Sequence, residues 1–324
     1  MQYHQEQPQQ HQFYEHHHHH EQQQDVTMNS SSSYGVVPAS PQPSSSASTA
    51  VATSNLIAAC TYNNAGASSL ERGNLTSAAE ALVEALQHIK KALKEVRCVQ
   101  HQDTTVVAGM YCVEGSPAAN IPQQLSVGGS YMYTRPSFVN ARVAPSIVDT
   151  CSPSYGSVED CNTVSISILF NLALAHHMGA ILHQEHQAGS NCSGSSSERD
   201  TCLYKAKHFY ESTYKLLSKT NNTQDLDCHQ DEDATSSIPH ECTRYMSILN
   251  NLALCNLWLN RVDDCDHCWQ QLLSFVLYVQ QAFDVYKNTE NDETNIVSSS
   301  SLSKFMDNVV TRLVLTCSNT APAA

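Results

Sequence analysis

The chain has 324 residues, enough for one large domain or two ordinary ones, and 41% of them are apolar. Seventeen basic against 31 acidic side chains give a formal charge of −14, a sign that repels phosphate backbones and argues against a nucleic-acid partner. No run of 18 apolar residues occurs, so no membrane is expected as a partner, and Met1-Gln2-Tyr3-His4-Gln5 lacks the apolar core of a signal peptide. Thirteen cysteines, an odd count without framework spacing, point to a reducing intracellular setting, cytoplasmic or nuclear, rather than to a disulfide scaffold.

Residues 1–53 are dominated by Gln, His, Ser and Pro, which bury too little apolar surface to offset their ordering entropy. They are expected to form a disordered arm. The histidines His16 to His20 within it are a low-complexity tract with weak metal affinity at most.

The remainder, 54–319, reads as helical, followed by a short tail at 320–324. A first hairpin pairs a weak helix at 55–71 with a strong one at 75–97. Ala78, Ala81, Leu82, Ala85, Leu86, Ile89 and Leu93 make a single stripe on the second helix. Gly73-Asn74 marks the turn between them, and Ser77 with Glu80 has the spacing of a capping box.

Residues 98–160 form an irregular insertion, rich in Gly, Ser, Pro and Val, with short β-like runs at Gly109–Val113 and Ser130–Thr134. Pro136 limits the second run, leaving at most a marginal hairpin inside a long loop. A second helical hairpin pairs 162–187 with 198–219, and a third pairs 241–260 with 262–287 through a tight turn at Asn260-Arg261. A last amphipathic helix at 302–317, with Phe305, Val309, Leu313 and Leu315, is placed to cap the stack.

An internal echo ties these hairpins together. Ser167-Ile168-Leu169-Phe170-Asn171-Leu172-Ala173-Leu174-Ala175 recurs 80 residues later as Ser247-Ile248-Leu249-Asn250-Asn251-Leu252-Ala253-Leu254-Cys255, matching at seven of nine places. Asn64 precedes Asn171 by 107 residues, one unit of about 34 plus an insertion of about 73. Small residues fall wherever two helices of a hairpin would cross: Gly66 and Ala78, Ala173 and Ala206, Ala253 and Cys265.

These residues resemble the tetratricopeptide repeat. The fold class expected is all-α: three tetratricopeptide-like hairpins with a C-terminal capping helix. The match is strongest in the third copy, with Leu249, Leu252, Trp269 and Leu272 around its crossing pair. It departs from the family where the first helices end in Ser69, His176 or Asn256 instead of an aromatic residue. The closing proline is also absent from each unit, which lets the second helices run on. The layout is similar to tetratricopeptide-like proteins from diatoms in Tyr62-Asn63-Asn64-Ala65-Gly66, in Leu169–His177 and in the ending Ala321-Pro322-Ala323-Ala324. That likeness implies no particular activity.

In tetratricopeptide repeats the first helices line a concave groove that takes extended peptides. Carried onto this chain, the groove residues implied are Asn63 and Ala67, then Phe170, Leu174, His177 and Met178, then Asn250, Leu254, Leu257 and Trp258. Such side chains suit hot-spot contacts on an open surface. Equally, the insertions or the last helix would turn them into core by filling the groove. The family's carboxylate clamp finds its asparagines here but not its lysine and arginine, which disfavours an acidic chaperone tail.

Two patterns invite metal. His176, His183 and His186 share a helical face beside Glu185, a set zinc accepts, yet no further fixed ligand is evident. Cys265-Asp266-His267-Cys268 has redox or zinc spacing, but Cys265 occupies a helix crossing and no second pair completes it, so buried thiols explain it better. No metal site and no cofactor are expected. Phosphate-cradling loops and nucleophile elbows do not occur. The expectation is therefore a non-enzymatic scaffold or adaptor binding a protein or peptide. The alternatives are a metal-dependent protein using the histidine set, or a regulatory factor acting through its arm.

Overall fold

The computed structural model describes residues 45–99, 108–119, 130–143, 157–188, 196–221, 240–289 and 299–319. Most of the predicted arm, with its histidine tract, lies outside them. Among the described residues are seven helices: α1 (Ser45–Glu71), α2 (Leu75–Val99), α3 (Val158–Ala188), α4 (Ser196–Asn221), α5 (His240–Trp258), α6 (Val262–Thr289) and α7 (Ser299–Asn319). The strands β1 (Ala108–Glu114) and β2 (Ser137–Val143) pair antiparallel, with Gly109 opposite Arg142 and Val113 opposite Phe138.

Helix α1 starts ten residues ahead of the expected 55. Its buried face runs through Ala52, Leu56, Ala59, Asn63, Ala67 and Leu70 at spacings of three and four. Four of those six are alanine or asparagine, so bulky-residue periodicity does not reveal the stripe. On α2 the matching face is Ala78, Leu82, Ala85, Ile89, Ala92 and Val96. A Cβ placed on Gly66 would come within 2.6 Å of Leu82 Cγ, which sets how closely the two helices cross.

Two hairpin turns share one construction. After α1, Gly73 takes a φ of 74°, its amide bonds to the Leu70 carbonyl, and the Asn74 amide reaches back to Ser69. After α5, Asn260 takes a φ of 54°, and the Asn260 and Arg261 amides bond to Leu257 and Asn256 in the same pattern. Asn74 then caps α2, accepting from the Ser77 amide at 3.3 Å, in the place expected of Ser77 and Glu80.

Consecutive helices pack as neighbours, with α1 also touching α3 and α5 also touching α7. Ala173, Ala206, Ala253 and Cys265 are fully buried at the two later crossings. Helix α3 is buried almost all round, between α2, α4, α1 and the sheet. Its stretch 158–184 is long and apolar enough to cross a bilayer, but 83% of the critical window lies inside the fold, which makes it a core helix.

Where the sequence suggested a β-run at Ser130–Thr134, the paired strand begins later, at Ser137. Pro136 offers no amide to a partner, so the ladder starts just after it. Residues 130–136 are instead an extended lead-in. On α7, Phe305 and Val309 are buried as anticipated; the side chains of Leu313 and Leu315 lie outside the described residues.

Candidate peptide-binding groove

Helices α1, α3, α5 and α7 face one extended segment of the same chain, 130–140, here termed the strap. Each helix grips it with an asparagine. The Asn64 side chain donates to the Val139 carbonyl and accepts from the Val139 amide, both at 2.8 Å. Asn171 does the same for Ser137, at 2.7 Å and 2.8 Å, and Asn251 for Tyr133, at 2.8 Å and 3.0 Å. Asn308 completes the series on Tyr131, at 2.5 Å in both directions.

A carboxamide can do this because it carries one donor and one acceptor in a plane, as a peptide group does. To the strap, each asparagine stands in for a residue of a neighbouring strand. Every strap residue so held has an odd number, so its two main-chain groups point toward the helices. The even residues turn the other way. Thr134 and Pro136 carbonyls accept from Ala118 and Gly115 amides at 3.3 Å and 2.8 Å, and from Ser137 onward β1 covers that edge.

The ladder is braced from behind. Asn63 donates to the Ser137 carbonyl and accepts from Asn171. Asn250 donates to the Tyr131 carbonyl at 3.0 Å and accepts from Asn308 at 2.6 Å. Asn251 also donates to the buried Tyr210 hydroxyl at 3.0 Å. Satisfying these buried amides in mutual contacts offsets the desolvation that would otherwise oppose packing so much polar surface.

Three strap side chains sit in built seats. The Tyr133 ring lies 6.4 Å from Phe170 and 6.0 Å from Phe305, centroid to centroid. The Ser137 hydroxyl accepts from the guanidinium of Arg244, itself 6% exposed, at 3.0 Å and meets the Ser167 hydroxyl at 3.1 Å. Val139 is 2% exposed.

The residues expected to line an open groove are placed as follows. Asn63, Ala67, Phe170, Leu174, His177, Met178, Asn250 and Leu254 are buried, and Leu257 and Trp258 are half-buried. Asn250 and Phe170 touch the strap directly. His177 lies behind it, edge-on to Tyr210 and Trp258, and burial pushes its imidazole down to about 3. A segment of the insertion, 130–140, lies against these residues in the structure.

Sequence reasoning passed over Asn64, Asn171, Asn251 and Asn308. The signal was present: Asn171 and Asn251 hold the same slot of the echo, and Asn64 and Asn308 fill it in α1 and α7. Echoed residues read as packing code, whereas this one binds the strap. Helix α7 thus supplies a fourth rung.

Among the described residues no three His, Cys, Asp or Glu side chains are grouped to hold a metal ion. His176 stacks on Phe209 instead, and the His186 side chain lies outside the described residues. Cys265 and Cys268 are buried free thiols; burial raises both, Cys268 to about 12. A cavity of about 200 Å³ opens between α4, α5 and α6, where Lys207 pairs with Glu211 and with Asp264 at 3.9 Å.

No family model, curated protein or solved structure matches the chain.

Proposed function

We propose that this is a non-enzymatic, tetratricopeptide-like interaction module whose concave face recognises an extended polypeptide through its main chain. The three helical hairpins act as the repeat units, and α7 adds the first helix of a further one. One observation carries the reading: four asparagines at equivalent places take the amide and carbonyl of strap residues 131, 133, 137 and 139. A face built to satisfy one extended backbone fits another of the same geometry. An intracellular setting goes with this reading, in keeping with the free thiols at Cys60, Cys112 and Cys161.

Peptide-display selection against the full chain tests the reading. To make its own segment seat poorly, the chain used carries Tyr133→Asp. Selected ligands should bind as extended segments and lose affinity when Asn171 or Asn308 is replaced by Leu. Ligands indifferent to both substitutions, in variants that keep their helical content, would rule the groove out as the recognition surface.

A further inference from the structure

We propose that the strap is an exchangeable occupant, and that the groove takes from a second polypeptide an extended segment of defined pattern. The pattern is an aromatic residue, a small residue, one open place, proline, a hydroxyl residue, one open place and an aliphatic residue, as in Tyr133, Thr134, Pro136, Ser137 and Val139. The proposal rests on the groove reading above and adds a sequence code and a competition to it.

The code follows from what each contact measures. The asparagine grip uses main-chain atoms alone, so it accepts any side chain but rejects proline at the gripped positions, where an amide is required. Proline is accepted one place along: Pro136 presents only its carbonyl, to the Gly115 amide. Side-chain selection falls to the buried places: Met132, Thr134 and Pro136 are enclosed and limit size, and three seats are specific. Phe170 and Phe305 enclose an aromatic ring, Arg244 and Ser167 meet a hydroxyl, and a closed apolar site takes Val139. Arg135, between the rungs on Tyr133 and Ser137, is half-exposed and pairs with Glu114 at 4.0 Å, so the code leaves that place open.

Competition follows from tethering. A segment held in the same chain acts at an effective concentration on the order of millimolar. An outside segment with the same contacts must reach that level, or meet a strap that seats poorly.

The test uses the fluorescein-labelled peptide Ser130–Asn140 and full-length chain, followed by anisotropy. Wild-type chain should half-saturate only near ~1 mM peptide. The Tyr133→Asp chain should bind about tenfold tighter or better, since its own occupant has lost an apolar seat. Replacing the peptide's tyrosine at 133 by Ala, or its serine at 137 by Leu, should weaken binding about tenfold each. Asn171→Leu in the receptor chain should remove it.

A folded Tyr133→Asp chain that ignores the peptide overturns the proposal. If that variant does not fold, hydrogen exchange on the wild-type chain decides instead. Several-millimolar peptide should speed exchange at the Tyr133, Ser137 and Val139 amides, and unchanged rates overturn the exchange. A scrambled extended peptide binding equally well defeats the code and leaves the groove reading standing. Failure of every extended peptide on a folded chain defeats both.

Discussion

Asn251 on α5 holds both main-chain groups of Tyr133, 118 residues earlier in the chain, and passes its remaining amide hydrogen to Tyr210. One side chain thus fixes the strap to a helix and that helix to α4. Replacing it with Leu keeps the approximate volume but orphans a buried amide, a buried carbonyl and a phenol. Each orphaned group costs about 1–3 kcal/mol. Asn251→Leu should lower the urea unfolding midpoint by an amount corresponding to about 3 kcal/mol or more, with no change in slope if folding stays two-state.

Leu174 is fully buried on α3, and an Asp there would carry an unpaired charge into the core. Leu174→Asp is expected to abolish the cooperative thermal transition seen by circular dichroism. Tyr278→Asp, at a residue 61% exposed on α6, should stay within about 0.5 kcal/mol of wild type. Retention of a normal transition by Leu174→Asp would show that α3 is not packed as described.

Gly66 lies where α1 meets α2, and an added Cβ would fall 2.6 Å from Leu82 Cγ and 3.3 Å from the Ala78 carbonyl oxygen. Alanine is the better helix former by about 1 kcal/mol, yet here the overpacking penalty of about 1–3 kcal/mol opposes it. Gly66→Ala should therefore destabilise the chain. Pairing it with Leu82→Ala should restore part of the loss, a coupling that a double-mutant cycle measures directly.

His177 is a base held neutral by burial, its folded value pushed from 6.5 to about 3. Below pH 6.5 the unfolded chain takes up a proton that the folded chain refuses. The stabilising contribution is therefore complete above pH 6.5 and is lost progressively as pH falls toward 3. Between pH 7 and pH 5 the loss is about 2 kcal/mol. His177→Leu should flatten this limb of the stability profile, measured by denaturant titration at each pH.

At pH 8 a thiol pushed up to about 12, as at Cys268, is thiolate in roughly one molecule in ten thousand, and Cys268 is also buried. In native protein Cys265 and Cys268 should resist alkylation by iodoacetamide over hours and react once urea is added. Rapid labelling of either in the folded chain, located by peptide mapping, would contradict the buried-thiol assignment.

The helices were legible where bulky residues repeat at three and four, as on α2, and the turn signals at Gly73 and Asn260 marked two hairpins correctly. Helix α1 was under-read because its buried face is built of alanines and asparagines, which carry no hydrophobic period. The strap was hidden for a different reason. Its partners are single asparagines spread over four helices, up to 177 residues away, and local pattern does not report contacts at that range. What the echo did preserve was the slot itself. A polar residue held constant inside a buried apolar stripe, Asn171 matched by Asn251, has a bond to make, and the groove is where it makes it.

The long span between strap and receptor also has a consequence for how the chain is made. Tyr131 leaves the ribosome 177 residues ahead of Asn308, which at ordinary elongation rates is a wait of about 10–35 s. Throughout that interval the helices that will cover the strap are incomplete, and one edge of an apolar strand lacks its final partners. Synthesis therefore passes through an obligatory stage at which this segment is open to chaperones, to other strands and to neighbouring nascent chains. The rate of translation past α5 and α7 sets how long that stage lasts.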